Sequence, residues 1–519
     1  MVLVFFKKYI LEIVVFICGA SLMILQIVGS RILAPWFGSA AFVWANLIGI
    51  MLGSLSLGYF LGGKIADKFP KYKILSLIIF FSAVFILIIF SAKSEILALV
   101  SLFTESLKLG SFLASLILFS IPSILLGMIT PFSLRLKIKD VVSSGRTAGN
   151  LFAVSTGGSI FGTFLAGLFL IPVLGIKNII ITISIFLFFS SFLAFLPEKT
   201  SKNQKISLLF FSLLSLTFFY FLDIKSPSVF ENLIFEKESQ YQGIMILDIE
   251  KNENIIRYLL LDGFPNSAMY LRNGILIENE LVFDYLQCFN VANYYFPNPK
   301  RVLMIGGGVY TYPQYYLKKH PETLVDVVEI DPSLIDVAQE FFAFRENPRL
   351  SIFHQDGRTF VRNSQKKYDV IFLDAFSGHS VPHQLTTFEF LKDLRRILKP
   401  EGMVITNIIS SLDLKEGKFT WVQYLTYKSV FEEVKLLAIE DPENLNLIQN
   451  ILVLAFNSKP SVRGERDEKI NYCLEKKIIE KPSLERIPKF TDDFSPSDYY
   501  VAIDYLFFRQ IVFPRFFEL

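Results

Sequence analysis

Four stretches of the C-terminal half place reactive or ligand-contacting residues at the ends of apolar runs. Val302–Ile305 ends in Gly306-Gly307-Gly308, and Leu324–Ile330 carries Glu329 near its carboxyl end. Leu350–His354 runs into Gln355-Asp356-Gly357, and Tyr368–Leu373 ends in Asp374. Glycines let a backbone approach a ligand, and an acid about 20 residues further on accepts hydrogen bonds from ribose hydroxyls. Gly308 and Glu329 fit that spacing. Thr311 stands where the third glycine of GxGxxG belongs, which suits a nucleoside better than a dinucleotide pyrophosphate. A single Asp at a strand end is ordinarily a helix cap. One such feature after each of four consecutive strands instead describes the ligand edge of a parallel sheet.

The elements that must position these residues alternate. Helices are expected over Tyr310–Lys319, Ser333–Phe342, Arg358–Asn363 and Phe388–Leu398, the last closed by Lys399-Pro400-Glu401-Gly402. A fifth strand is expected over Met403–Ile408. Strands alternating with helices argue for a doubly wound parallel sheet. Ahead of it, Gly243–Ile249 and Ile255–Leu261 read as strands before a turn at Asp262-Gly263. Asn279–Tyr295 reads as one helix with Leu281, Tyr285, Phe289 and Ala292 on one face. Lys225–Glu238 reads as a linker.

The first 223 residues have a different composition. Across the chain of 519 residues, 52% are hydrophobic and 54 are Phe, and mean hydropathy is +0.47. A membrane portion follows. Candidate spans are Tyr9–Gly29, Ala40–Gly62, Ile74–Ala92, Gly110–Phe132, Asn150–Ile171, Ile179–Leu196 and Ile206–Leu222, about seven helices near the ~20 residues a bilayer needs. Ser94–Lys108 is shorter and carries Glu95 and Glu105, which suits an interfacial position. Gly49/Gly53, Gly58/Gly62 and Gly158/Gly162 have the spacing of close helix packing, and Pro122 and Pro131 are candidate kinks or ends of the fourth span. Span centres nearly lack charge, which argues against ion-coupled transport. Lys64–Lys73, Arg135–Arg146 and Lys199–Lys205 fall on one side with Lys7-Lys8, the cytoplasmic side by the positive-inside rule. Seven spans then leave residue 223 onward outside, in conflict with a cytosolic nucleoside ligand.

Net charge is +3, so no global field argues for nucleic acid. Cys18, Cys288 and Cys473 are far apart and lack CxxC spacing. That argues against a disulfide framework or a zinc site and suits a reduced compartment.

IGGG followed by VVEIDP, QDGR, YDVIFLDAF and LKPEG resembles the spermidine/spermine synthase family of aminopropyltransferases. ILQIVGSRILAPWFG, GGKIADKFP, TPFSLRL, DAFSGHSVPHQLTTFEF and TDDFSP resemble the branch in which a multi-span helical region precedes the synthase-like domain. The resemblance implies an N-terminal α-helical membrane domain plus a C-terminal α/β Rossmann-like domain of the class I methyltransferase type, with a small β region before it. The expected boundaries are residues 1–223, 224–295, 296–457 and a C-terminal extension 458–519. It implies that Gly306 and Gly308 lie against a thioadenosine moiety, that Glu329 holds the ribose, and that Asp356 and Gly357 face the adenine edge. Gln242 is the expected glutamine that reaches the nucleoside. Asp374 is the expected acid that deprotonates the attacking amine, since a protonated amine has no lone pair. No permanently bound cofactor or metal is expected. Decarboxylated S-adenosylmethionine, or S-adenosylmethionine, is the implied co-substrate, a small amine such as putrescine the acceptor, and the lipid bilayer a partner, with homo-oligomers compatible with the family.

Three acids of the family pattern are absent. Val309 follows the triple glycine where an Asp binds the donor's amine, Ser377 replaces the second acid after the fourth strand, and Tyr285 and Leu286 stand near the expected helix Glu. Asp284, Asp492 and Asp493 are candidate replacements. His379 and His383 are four apart, but Pro382 lies between them, so this segment reads as a loop over the site rather than a metal centre. Competing readings are a methyltransferase, favoured by Val309, and a non-catalytic nucleoside-sensing transport or scaffold protein, disfavoured by an intact Asp374.

Overall fold

The computed structural model describes residues 2–104, 106–138, 140–198, 202–225, 232–251, 254–375, 381–413, 418–476 and 488–497. The chain divides into two compact units, Met1–Glu231 with Lys237–Gln242, and Asn232–Glu236 with Gly243–Leu519.

The first unit is helical: α1 Val2–Phe37, α2 Ala41–Lys68, α3 Tyr72–Ser91, α4 Lys93–Phe103, α5 Leu107–Lys137, α6 Ser144–Leu165, α7 Ile171–Phe195 and α8 Lys202–Lys225. Apolar runs of this length satisfy their backbone polar groups internally, as a bilayer requires. Among the described residues, six helices are long and apolar enough to cross a membrane, one fewer than the sequence reading expects. The seventh expected span, Ile206–Leu222, lies in α8, and its Tyr220–Leu222 side chains fall outside the described residues. The region read as Ser94–Lys108 forms the short α4. Neither Pro122 nor Pro131 ends α5, which continues to Lys137. A Cβ at Gly58 or Gly62 would strike the backbone of Ile124 or Met128, and one at Gly158 or Gly162 that of Phe16 or Ala20, so these pairs are packing sites. Gly49 and Gly53 face open space instead.

The second unit begins with a five-stranded sheet in consecutive order: β1 Leu233–Glu238, β2 Gly243–Lys251, β3 Asn254–Leu261, β4 Phe264–Arg272 and β5 Ile275–Ile277. The stretch read as a linker thus contributes a strand. The single helix expected over Asn279–Tyr295 is two short ones, α9 Asp284–Cys288 and α10 Val291–Tyr295. At the break, Asn290 Nδ2 donates back to the Gln287 carbonyl, a local bond that competes with the helical ladder.

The main sheet has seven strands: β6 Arg301–Ile305, β7 Leu324–Glu329, β8 Leu350–His354, β9 Tyr368–Leu373, β10 Leu398–Ser410, β11 Glu433–Ala438 and β12 Gln449–Phe456. Helices α11 Thr311–Lys319, α12 Ser333–Phe341, α13 Gly357–Asn363, α14 Phe388–Ile397 and α15 Lys418–Lys428 connect them, and α16 Glu468–Glu475 follows. The order is β11-β12-β10-β9-β6-β7-β8. Six strands run in one direction, whereas β12 runs antiparallel to its neighbours β10 and β11. The expected all-parallel sheet is therefore mixed at one edge. Alternate residues feed two cores: Val302, Met304, Phe372 and Ile405 on one face, and Leu303, Ile305, Ile371 and Val404 on the other.

Cys288 and Cys473 form a disulfide across 185 residues, with Cα atoms 5.4 Å apart. This corrects the expectation of unpaired thiols: spacing along the chain carries no sign that α9 and α16 are neighbours. Cys18 is free and buried.

Candidate active site

Strand order reverses between β6 and β9, which pair with each other while their connections run outward in opposite directions. In open α/β sheets the crevice beyond the carboxyl ends at such a point receives the ligand. Gly306 and Asp374 are the residues that follow these two strands. The Asp374 N–H donates to the Ile305 carbonyl at 2.8 Å. Gly306 has φ +90, and a Cβ there would collide with the Asp374 carbonyl oxygen, so glycine permits both the turn and the approach.

The Asp374 carboxylate is half-buried and held at both oxygens. Tyr285 Oη, from α9, donates to Oδ2 at 3.0 Å, and Asn407 Nδ2, from the end of β10, donates to Oδ1 at 3.0 Å. Burial pushes this carboxyl up to about 6, while the bonds from Asn407 and Tyr285 pull it down. Burial, with Asp374 beside it, raises the Tyr285 phenol well above its usual range, so Tyr285 is a neutral donor at pH 7. A carboxyl near 6 is mostly ionised at neutral pH yet basic enough to take a proton.

Glu329, 7% exposed, accepts from the Gly307 and Gly308 N–H groups at 2.8 and 3.1 Å through Oε2, and from the Asp331 N–H at 3.1 Å through Oε1. Burial raises its carboxyl and these amide bonds oppose the rise. The acid expected at the ribose thus also shapes the glycine turn. Three of its roughly four acceptor positions are used.

Gly308 has φ +52, and a Cβ there would strike Ser267 Oγ and Asn266 Oδ1 on β4. Ser267 Oγ also accepts the Val309 N–H at 3.4 Å. Val309 itself is buried in the core. The glycine turn therefore has a polar wall from the small sheet, which the sequence reading did not assign.

Asp356 caps α13, its Oδ1 accepting from Thr359 N–H at 2.8 Å and Thr359 Oγ1 at 2.9 Å. Gly357 is buried, and a Cβ there would press on Ile305 at 2.7 Å. Gln242 lies in the turn before β2, its N–H donating to Ser239 Oγ at 3.0 Å. Of the candidate replacement acids, Asp492 is engaged: Arg358 donates to both its oxygens, at 2.8 and 2.5 Å, and Thr387 Oγ1 donates at 2.7 Å. Asp284 is exposed beside Tyr285. Ser377 and His379 lie outside the described residues. Among those described, no group of three acids, histidines or cysteines is placed to hold a metal.

Thus the structure joins Gly306, Gly307, Gly308, Glu329 and Asp374 in one edge, and adds Tyr285, Asn407, Asn266 and Ser267. One signal for Asn407 was available: a lone amide inside the apolar run Val404–Ile409 has to be satisfied by something.

Residues 287–460 match the family model described as the spermine/spermidine synthase domain. The polyamine aminopropyltransferase of Vibrio vulnificus is 28% identical over 280 residues, covering 51% of this chain and 90% of that protein. That of Streptococcus pneumoniae is 31% identical over 196 residues, covering 36% and 64%. Putrescine N-methyltransferase 2 of Nicotiana attenuata is 29% identical over 182 residues, covering 34% and 46%. Among solved structures, a probable spermidine synthase from Corynebacterium glutamicum aligns at TM-score 0.42 and 20% identity, covering 52% of this chain and 99% of that one. The likeness to the spermine/spermidine synthase family thus lies in the C-terminal half, with residues 287–460 matching its domain.

Proposed function

We propose that the protein is a membrane-anchored aminopropyltransferase that moves an aminopropyl group from decarboxylated S-adenosylmethionine to a small amine such as putrescine. The observation that carries this reading is Asp374: a carboxylate at the switch point, touching the glycine turn, held by two donors and pushed up to about 6. Gly306, Gly308, Glu329, Asp356 and Gly357, with Gln242, are the proposed contacts of the nucleoside. Asp374 takes a proton from the acceptor ammonium and frees the nitrogen lone pair. That nitrogen forms a bond to the carbon next to the sulfonium. The carbon–sulfur bond breaks, its electron pair returns to sulfur, and neutral methylthioadenosine leaves. The donor carries its own leaving group, so positioning supplies most of the remaining acceleration.

A methyltransferase reading is favoured by Val309, whose apolar side chain replaces the acid expected at the donor's amine. The full chain in detergent micelles, offered S-adenosylmethionine or its decarboxylated form with a panel of amines, separates the two by product mass. An aminopropyl adduct with methylthioadenosine supports the proposal. A methylated amine with S-adenosylhomocysteine refutes it.

Six crossings return the chain to the side where it starts. With the basic loops inward, the transferase unit is then cytoplasmic, where nucleoside donors are made. The Cys288–Cys473 disulfide favours the opposite side, because such bonds persist in oxidising compartments, and α8 would then be a seventh crossing. A reporter fused after residue 225 distinguishes them.

A further inference from the structure

Asn407 touches Asp374 with one end of an amide whose two ends are nearly the same shape and opposite in character. The Nδ2 end donates to an anion, whereas the Oδ1 end repels it. A side chain that is 3% exposed and can turn by half a revolution needs something to select the productive end. The structure supplies it from β12. Asn450 Nδ2 donates to Asn407 Oδ1 at 3.0 Å, and Asn407 Nδ2 donates to Asp374 Oδ1 at 3.0 Å. An ionised carboxylate only accepts, so this sequence of bonds is self-consistent in one direction. If Asn407 turned over, two oxygens would face each other at Asp374 and two NH2 groups at Asn450.

The antiparallel edge makes the contact possible. Asn450 lies opposite Ile409, and Asn407 is two residues before Ile409, so the two amides are diagonal neighbours on one face of the sheet. The Asn450 backbone is pinned on both sides: its N–H donates to Glu440 Oε2 at 3.0 Å, and its carbonyl accepts the Ile439 N–H at 3.0 Å.

We infer that Asn450 is a positioning residue for the transfer reaction, acting through Asn407 to present a hydrogen-bond donor to the Asp374 carboxylate. The inference rests on the proposal that Asp374 is the base. The other groups on this edge are Tyr285 from α9 with Asp284 beside it, Glu329 from β7, and Glu440 beyond Asn450. Tyr285 stays neutral across the useful range. Glu440, which burial pushes up to about 7, titrates in the same window as the base.

The test uses the full chain in detergent micelles and follows aminopropyl transfer from pH 5 to 9. Every variant is also made in a Glu440→Gln background, in which an acid limb that persists cannot belong to Glu440. Asn450→Leu keeps the bulk and removes the donor, and Asn450→Ser is the smaller alternative if the leucine impairs folding. The acid limb of kcat/KM should move up by about one pH unit. The rate at pH 6 should then fall about fivefold while the alkaline plateau and the donor KM stay within about twofold. A loss spread evenly over pH, with the limb unmoved, marks a merely structural role and overturns the inference. Asn407→Leu/Asn450→Leu should match Asn407→Leu alone, and additive losses overturn it equally. If Asp374→Asn keeps full turnover, the proposed function fails. If Asp374→Asn is inactive and the limb is unmoved, only the role of Asn450 fails.

Discussion

Replacing Asp374 by Asn should make the protein inactive and more stable at once. The carboxyl moves from the ordinary 3.8 to about 6 on folding. Between those values the folded state binds more protons than the unfolded one, so stability falls as pH rises through that window. Two pH units correspond to about 3 kcal/mol, an upper bound because Asp374 is partly accessible. Asn cannot ionise and escapes this cost. Its Oδ1 still accepts from Asn407, and the Tyr285 hydroxyl can turn to accept from the new amide, although that neutral bond is weaker than the charged one by about 1 kcal/mol. The net expectation is a gain of about 1–2 kcal/mol at pH 7 that vanishes near pH 4. Loss of the base should lower kcat by roughly 10²–10⁴, or about 3–5 kcal/mol. Product mass spectrometry reports the rate, and thermal unfolding of the C-terminal unit between pH 4 and 8 reports stability. Turnover within a few-fold of the parent, or an unchanged pH dependence of melting, would refute the assignment of Asp374 as a buried, raised base.

Tyr285→Phe removes one donor to the ionised carboxylate, so the acid limb of kcat/KM should rise from about 6 by roughly one pH unit; a pH–rate profile checks this, and an unmoved limb counts against the contact. Gly308→Ala forces a Cβ onto Ser267 and Asn266 at φ +52. Calorimetric titration with the nucleoside donor should show affinity down by at least about tenfold, with about 1–2 kcal/mol of local strain behind it. Cys288→Ser opens a loop of 185 residues, and chemical unfolding should show a loss of about 2–5 kcal/mol. Reducing agent should reproduce that loss in the parent but not in the variant.

Several features were legible without coordinates. Tyr368–Leu373 emerges as a strand with the expected ends, and the glycine turn, Glu329 and Asp374 fall at strand ends as read. Short apolar runs punctuated by glycine or an acid are local signals, and the parallel order of their strands follows from the helices between them. The antiparallel edge was not legible, because β12 depends on pairing with β10 and β11 on pairing with β12, which local patterning does not encode. The same holds for Tyr285 and Asn450: each is ordinary where it stands, and each matters through a partner many residues away.

The amino-acid sequence by itself determined which segments are apolar enough for a membrane, where the main sheet begins, and which acids end its strands, since these depend on neighbours along the chain. The tertiary structure decided the rest. It joined Cys288 to Cys473, set Ser267 against Gly308, and closed Tyr285 and Asn407 around Asp374. The reason is physical. A carboxylate's basicity is set by burial and by the donors that reach it, and both are properties of packing.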